Sequence, residues 1–223
     1  MDQTSFNLHA KAWQCIEDFE SAREPELVRE ARKLALRNDV PQCTASQGSL
    51  LSSLVHMQHA ESIIVVGTSP VVETAQLVEA LDNHGKVTVV DSTADGIRIL
   101  REFIAEAADE THTIMRAANA DPSRFLQRLT PDDYDLIVVC GNTSNYEQTL
   151  AHAASLLHHG GAIVFTDALA FARRGNKGGL TNAADRSEQA VTMRNIIEQL
   201  QDDDRFTSSL NPAGTGLLIA VKR

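Results

Sequence analysis

An α/β fold is predicted, doubly wound around a mostly parallel seven-stranded sheet with an antiparallel last strand and preceded by helices. Three observations on the 223-residue chain point to it. From about residue 61 onward, short apolar runs alternate with amphipathic helical patterns, which calls for parallel strands joined by right-handed crossovers with helices on both faces. The first such unit, Ile63 to Asp91, reads strand, Gly67-Thr68-Ser69 loop, helix and a second strand ending in an acid. Two further runs flanking a Pro/Gly loop close the chain as an antiparallel hairpin.

The elements follow in order. Phe6 to Phe19 and Glu24 to Arg37 are charged segments with periodic apolar positions, hence helices; Val40-Pro41 ends the second, because a residue before proline resists the helical conformation. Ser46 is a capping residue for a third helix, Ser46–His59, with Leu50, Leu51, Leu54 and Val55 on one side. Strands are predicted at Ile63–Val66, Val87–Val90, His112–Met115, Leu136–Cys140 and Ala162–Thr166, separated by helices at Val71–Leu81, Ala94–Ala108, Asp121–Leu129 and Tyr146–Leu157. A helix from Asp185 to Leu200 precedes the hairpin strands Arg205–Leu210 and Leu217–Val221. No repeat or linker interrupts the chain, so 1–223 reads as a single domain, with helices at 1–60 and an α/β core at 61–223. Ala172 to Arg186 is the one long polar loop, expected to be mobile. It lies beyond the carboxyl end of the fifth strand, where α/β proteins place ligand loops.

Bulk composition excludes several classes of function. Hydrophobic residues are 43% and charged residues 22%, ordinary for a soluble globular chain. A net charge of −10 opposes non-specific attraction to nucleic acid or anionic membrane, and no basic run is longer than a pair such as Arg173-Arg174. Met1-Asp2-Gln3-Thr4 lacks a basic segment followed by an apolar one, so no signal peptide is expected, and no apolar run approaches a membrane span. Cys15, Cys43 and Cys140 form no CxxC pair and are odd in number, so free thiols and a cytoplasmic setting are expected.

The βαβ unit carries the chemistry. Gly67 breaks the first strand, Ser69 is placed to cap the helix, and Pro70 suits its first position. Asp91, roughly 20 residues past the glycine turn, is placed to accept hydrogen bonds from ribose hydroxyls. The competing reading is an ordinary crossover whose acid caps the next helix. An NAD-dependent oxidoreductase built on the same unit is a third reading, opposed by the missing Gly-x-Gly-x-x-Gly and by the closing hairpin.

The order of elements resembles the class I S-adenosylmethionine-dependent methyltransferases. More narrowly it is similar to the small catechol and caffeoyl-coenzyme A type O-methyltransferases, in an actinobacterial-looking form. Gln47-Gly48-x-Leu50-Leu51 resembles the family's entry helix, Val66-Gly67-Thr68 its first glycine motif, and Tyr134-Asp135-Leu136-Ile137-Val138 its fourth strand. Gly160-Gly161-Ala162-Ile163-Val164 through Asp167 resembles the fifth strand. Asp203-Asp204-Arg205-Phe206 through Leu210-x-Pro212-x-Gly214-x-Gly216-Leu217 resembles the closing hairpin. The resemblance covers about residues 40 to 223 and implies a Rossmann-like fold, S-adenosylmethionine as cofactor, a small-molecule acceptor and a homodimer. It implies a cofactor pocket lined by Gly67, Thr68, Ser69, Asp91, Ser92, Asn119, Ala120 and Cys140, with Asn119 where the family has its acid near the adenine.

The chain departs from the family at the chemistry. The family's fourth strand usually ends Asp-Ala-Asp-Lys, supplying a metal ligand and a base; here it ends Cys140-Gly141-Asn142-Thr143. Its adjacent Asp and Asn ligands on the fifth strand align with Asp167-Ala168, so Asp167 is the only retained ligand position. One carboxylate and a soft thiol make a poor octahedral oxygen site, so no magnesium or calcium is expected and no base is assigned. Two further glycines of the cofactor loop are Pro70 and Val71 here. These losses leave two readings: a metal-independent O-methyltransferase, or a non-catalytic paralogue that binds the cofactor, a nucleoside or a partner. Asp167 is alternatively a capping acid, and Cys140 a small apolar lining residue rather than a nucleophile. His56 with His59, and His158-His159, are expected at helix ends near the dipole rather than on a metal. His152, Ser144 and Ser155 lack a Gly-x-Ser-x-Gly elbow, and Trp13 with the first helices is expected to cover core or partner surface.

Overall fold

The computed structural model describes residues 3–171 and 177–223, with side chains from Leu8. Arg173, Arg174 and Gly175 of the predicted polar loop, and Met1 and Asp2 at the start, lie outside the described residues. Three helices come first: α1 (Gln3–Ser21), α2 (Glu26–Arg37) and α3 (Ala45–Gln58). There follow β1 (Ser62–Val66), α4 (Val71–Ala80), β2 (Lys86–Asp91), α5 (Ala94–Ala107), β3 (Ile114–Asn119), α6 (Pro122–Leu126), β4 (Tyr134–Val139), α7 (Ser144–Leu156) and β5 (Leu157–Phe165). A 3-10 turn at Gly179–Thr181, α8 (Glu188–Asp202), β6 (Phe206–Asn211) and β7 (Leu217–Lys222) complete the chain.

The sheet runs β3-β2-β1-β4-β5-β7-β6. β1 pairs parallel with β2 on one side and β4 on the other, while β7 is antiparallel to both β5 and β6. Chain direction therefore reverses its march between β1 and β4, and ligand clefts of open α/β sheets form at that switch point. The strand side chains alternate between two cores. Ile63, Val65, Val87, Val89, Leu136 and Val138 face α2, α4 and α5; Ile64, Val66, Ile137, Val139, Ile163 and Phe165 face α7 and α8. All five residues of β1 are buried, which is why that strand reads as an unbroken apolar run rather than an alternation.

Several element boundaries differ from expectation for physical reasons. α3 is capped by Thr44, not Ser46: the Thr44 Oγ1 accepts from Gln47 N, and the Gln47 side chain accepts from Thr44 N, a reciprocal capping box. Glu17 of α1 adds acceptors for Ala45 N and Ser46 N, so α1 is fastened to the start of α3. β3 begins at Ile114 and runs to Asn119 instead of His112–Met115. It is an edge strand, half exposed along its length, so burial left little apolar pattern to read. β5 starts at Leu157, immediately after α7, with a register shift against β4 between Tyr134 and Leu136. His158 and His159 thus lie in a strand rather than at a helix end: His158 Nε2 meets Asp135 Oδ1 at 2.6 Å.

Candidate functional site

A cleft of ≈ 520 Å³ opens at the carboxyl ends of β1, β4 and β5. Its floor is the β1–α4 loop. Gly67 N donates to Val90 O at 3.1 Å, and Cys140 N donates to Val66 O at 2.9 Å, so the strand ends are still laddered where the loop departs. Gly67 has no room for a side chain, since a Cβ there would stand 2.5 Å from Cys140 Sγ and 2.8 Å from Pro70 Cβ. Gly141 on the opposite wall has φ +76°, a left-handed conformation that turns the chain back over Thr68.

Ser69 does not cap α4. It holds φ +53°, its backbone N–H donates to Asp91 Oδ2 at 2.7 Å, and the N-cap is Pro70, which has no side-chain bond to offer. The helix start is tightened by Thr74 Oγ1 donating to Pro70 O. Asp91 is 1% exposed, and its other oxygen accepts from Thr93 N at 2.7 Å and Thr93 Oγ1 at 2.8 Å. Thr93 in turn caps α5 by accepting from Gly96 N. One buried carboxylate therefore ties the glycine loop to the start of the next helix. Asn119 stands beside Asp91 in the sheet register; its Nδ2 donates to the carbonyls of Asp91 and Thr93.

Of the residues singled out in the sequence, Thr68, Ser69, Cys140 and Asp167 line the cleft together. Gly67 packs directly behind Cys140. Asp91 lies beneath Ser69, whereas Ser92, Asn119 and Ala120 continue along the ends of β2 and β3, beyond the cleft lining. Asp167, read from the sequence as a lone metal position or a cap, has φ +55° and accepts from Thr215 Oγ1 of the β6–β7 loop. Its carboxylate thus anchors the closing hairpin at the cleft wall. Gln47 reaches the same loop, donating to Thr215 Oγ1 and Gly216 O.

Glu73 is the residue that pattern reading missed. It occupies the first turn of α4 among Val71, Val72 and Ala75, lines the cleft and is 7% exposed. Burial pushes its carboxyl up to about 7; its own backbone N–H and the more distant Arg32 oppose the rise, while Asp167 adds to it. An acid in a first helical turn is ordinarily read as a complement to the dipole, so nothing in the pattern marked this one as buried. The outer wall comes from the segment joining α2 to α3, Asn38 to Cys43, which the Arg32 guanidinium fixes by donating to Cys43 O and pairing with Glu24. Arg98 of α5, bonded to Asn38 Oδ1, completes the rim. Burial raises the thiols of both Cys43 and Cys140 well above the ordinary value, so both enter the cleft as neutral thiols, not nucleophiles.

Among the described residues these donors are a poor fit for a divalent metal: one Asp167 oxygen already accepts from Thr215, the Cys140 thiol is soft and protonated, and hard cations need several oxygen ligands. The glycine loop, the adjoining acid and the cleft volume do fit a nucleoside cofactor. The hydrolase arrangement is not assembled either, because His152 faces Ser123 at 3.4 Å while Ser144 sits at the far end of α7, about 12 Å along the axis.

A family profile described as O-methyltransferase matches residues 18–223. A protein of Mycobacterium sp. (strain JLS), provisionally named an O-methyltransferase, is 28% identical over 204 residues, covering 91% of this chain and 89% of the relative. An O-methyltransferase from Bacillus cereus, solved in complex with SAH, superposes with a TM-score of 0.79 at 18% identity, covering 96% of this chain and 99% of that one. An O-methyltransferase from Streptomyces achromogenes involved in tomaymycin synthesis, solved with SAM, gives a TM-score of 0.76 at 20% identity, over 95% and 97% of the two chains.

Proposed function

The chain belongs to the O-methyltransferase family, and on that premise we propose that it transfers a methyl group from S-adenosylmethionine to an oxygen of a small-molecule acceptor without a divalent metal. The observation that carries this reading is the cleft itself, set at the switch point beside a glycine loop that the buried Asp91 holds in place. S-adenosylmethionine supplies an electrophilic methyl on a sulfonium sulfur; the rest of the work falls to the chain.

A carboxylate has about four acceptor positions. Asp91 spends three on Ser69 and Thr93, which leaves capacity for one ribose hydroxyl. Asn119 and Ala120, next along the sheet edge, form the wall for the adenine, while Gly67, Thr68, Ser69, Ser92 and Cys140 enclose the rest. Holding two reactants in line supplies much of the acceleration for a displacement at carbon, so an already acidic phenol or carboxylate needs no metal to react. The Cys140-Gly141-Asn142-Thr143 end of β4 favours a second reading, a binding paralogue without turnover, and labelled methyl transfer to any acceptor eliminates it.

Residues 1–60 and 61–223 act as one unit in this proposal. The unit works in the cytoplasm as a homodimer, has no role with nucleic acid and is not membrane-bound; among the described residues no helix is long and apolar enough to cross a membrane. Support for the dimer is α1, which leaves Leu8, Trp13, Ile16 and Phe19 about half exposed or more. A monomer mass by light scattering at micromolar concentration would remove that part. The cofactor reading is tested by calorimetric titration with S-adenosylhomocysteine, beside an Asp91→Ala control. Saturable binding, weakened at least about tenfold by the substitution, is expected, in line with loss of a charge-assisted hydrogen bond. Transfer that requires magnesium and stops in chelator would overturn metal independence.

A further inference from the structure

The cleft wall is strongly one-signed. Among the described residues, Asp39, Glu73, Asp95 and Asp167 line it against a single cation, Arg98, whose guanidinium is bonded to Asn38 and lies 3.6 Å from Glu102. Three of those carboxyls have an evident place. Asp39 and Asp95 are exposed on the rim, and Asp167 holds Thr215. Glu73 alone is carried into the floor by the buried first turn of α4, beside Val71, Val72 and Ala75, where burying a carboxyl is costly.

We propose that Glu73 is the counter-charge for the positive end of the cofactor, ionised when the sulfonium form occupies the cleft and returned to the state of the empty cleft when the spent thioether form does. The inference rests on the cofactor reading above and deepens it. S-adenosylmethionine carries one more formal positive charge than S-adenosylhomocysteine, and in a cleft screened from water an opposite charge favours the ionised carboxylate. The groups that face Glu73 leave it able to switch. Cys43 from the α2–α3 segment and Cys140 from the end of β4 are neutral thiols; Asp167, just beyond β5, opposes ionisation; Arg32 of α2 is engaged by Glu24. Asp91 below the loop and Arg98 on the rim are held by Thr93 and Asn38 respectively. A half-protonated acid near neutrality is therefore poised so that ligand charge decides its state. Binding of the charged donor would expel a proton, and loss of that charge would restore it, weakening the hold on the spent product.

Calorimetry of the full chain in buffers of different ionisation enthalpy reads this without any acceptor. At about pH 7, S-adenosylmethionine is expected to release roughly half a proton more than S-adenosylhomocysteine does. Its affinity should rise about tenfold between about pH 6 and about pH 8, with the S-adenosylhomocysteine affinity nearly flat. Glu73→Gln should abolish the difference in proton release, and the change between the two proteins removes any titration belonging to the ligands themselves. Equal proton counts for the two ligands in the native protein, or a difference that survives Glu73→Gln, would overturn the proposal. If neither ligand binds the native protein, the cofactor reading fails as well; if both bind with equal proton release, only the role of Glu73 falls.

Discussion

Gly67 shows how one residue sets the site. There the Cys140 thiol and the Pro70 ring close in so tightly that a methyl group has nowhere to go. Gly67→Ala is expected to cost about 1–3 kcal/mol, the usual range for overpacking a closed site. The partners that must give way are a proline ring, which has no rotor, and the thiol of Cys140, which is buried at a strand end. Thermal or urea unfolding measures it; a stability within a few tenths of a kcal/mol of the native protein would show that β4 can shift away. Asp91 is a different kind of residue, because its carboxylate is already a structural strut. Asp91→Asn leaves one oxygen and one amide facing three donors, so at least one of Ser69 N, Thr93 N or Thr93 Oγ1 loses its acceptor. A loss of about 1–3 kcal/mol in stability is expected together with weaker S-adenosylhomocysteine binding. Weaker binding at unchanged stability would mean that the loop does not depend on the strut.

At the scale of elements, what the sequence disclosed follows from which forces leave a local trace. Buried parallel strands do, since Ile63–Val66 and Leu136–Val139 have no polar face to interrupt them; the first expectation differs from β1 by one residue, and Leu136–Cys140 differs from β4 by two at its start and one at its end. Edge strand β3 does not: half of it meets water, and its start is fixed by His84 O accepting from Thr113 Oγ1 and by Asn83 Oδ1 accepting from His112 N. The α7–β5 junction was hidden because the chain passes from helix to strand with no breaker residue, so His158 read as a helix end. In the site, the glycine loop and Asp91 were visible as a motif. Glu73 was not, because burial is a property of the packed helices α2 and α3 that lie over α4.

The segment after β5 makes the same point. Asp185 looked like the first residue of α8, yet it precedes the helix and accepts from Ser187 N, Gly179 N and Lys177 N, which holds its carboxyl down to about 2. Arg194 of α8 clasps the same turn through the carbonyls of Gly179, Asn182 and Asp185. Asp185→Asn should therefore loosen 177–187 without unfolding the sheet, seen as faster proteolytic cleavage there with a melting temperature little changed. Cleavage at the native rate would show that Arg194 alone holds the turn.

For the molecule as a whole, several groups shape the dependence of stability on pH, and Asp185, His158 and Glu73 among them pull in different directions. Asp185 has a depressed folded value, so its contribution is present above the ordinary 3.8 and is lost as pH falls through about 2. His158, raised by His159 O and Asp135, contributes fully below 6.5 and loses that contribution as pH rises through its folded value. Glu73 acts with the opposite sign to a paired acid. The folded protein keeps a proton that the unfolded chain gives up above 4.5, so stability falls as pH rises from 4.5 to about 7, and the penalty is complete beyond that. Since Glu73 is nearly fully buried, the rise corresponds to roughly 3 kcal/mol, a large fraction of the net stability of a domain this size. Glu73→Gln removes the titration while keeping shape and polarity. It should therefore leave stability nearly unchanged near pH 4.5 and raise it progressively toward pH 7.5, by roughly 1–3 kcal/mol, in chemical denaturation followed across that range. The same substitution should erase the proton release on donor binding, so that stability without ligand and charge recognition with it are exchanged through a single side chain. A Glu73→Gln protein whose stability parallels the native curve at every pH would show that the buried carboxyl keeps its ordinary ionisation, and the cleft would then carry its negative charge permanently.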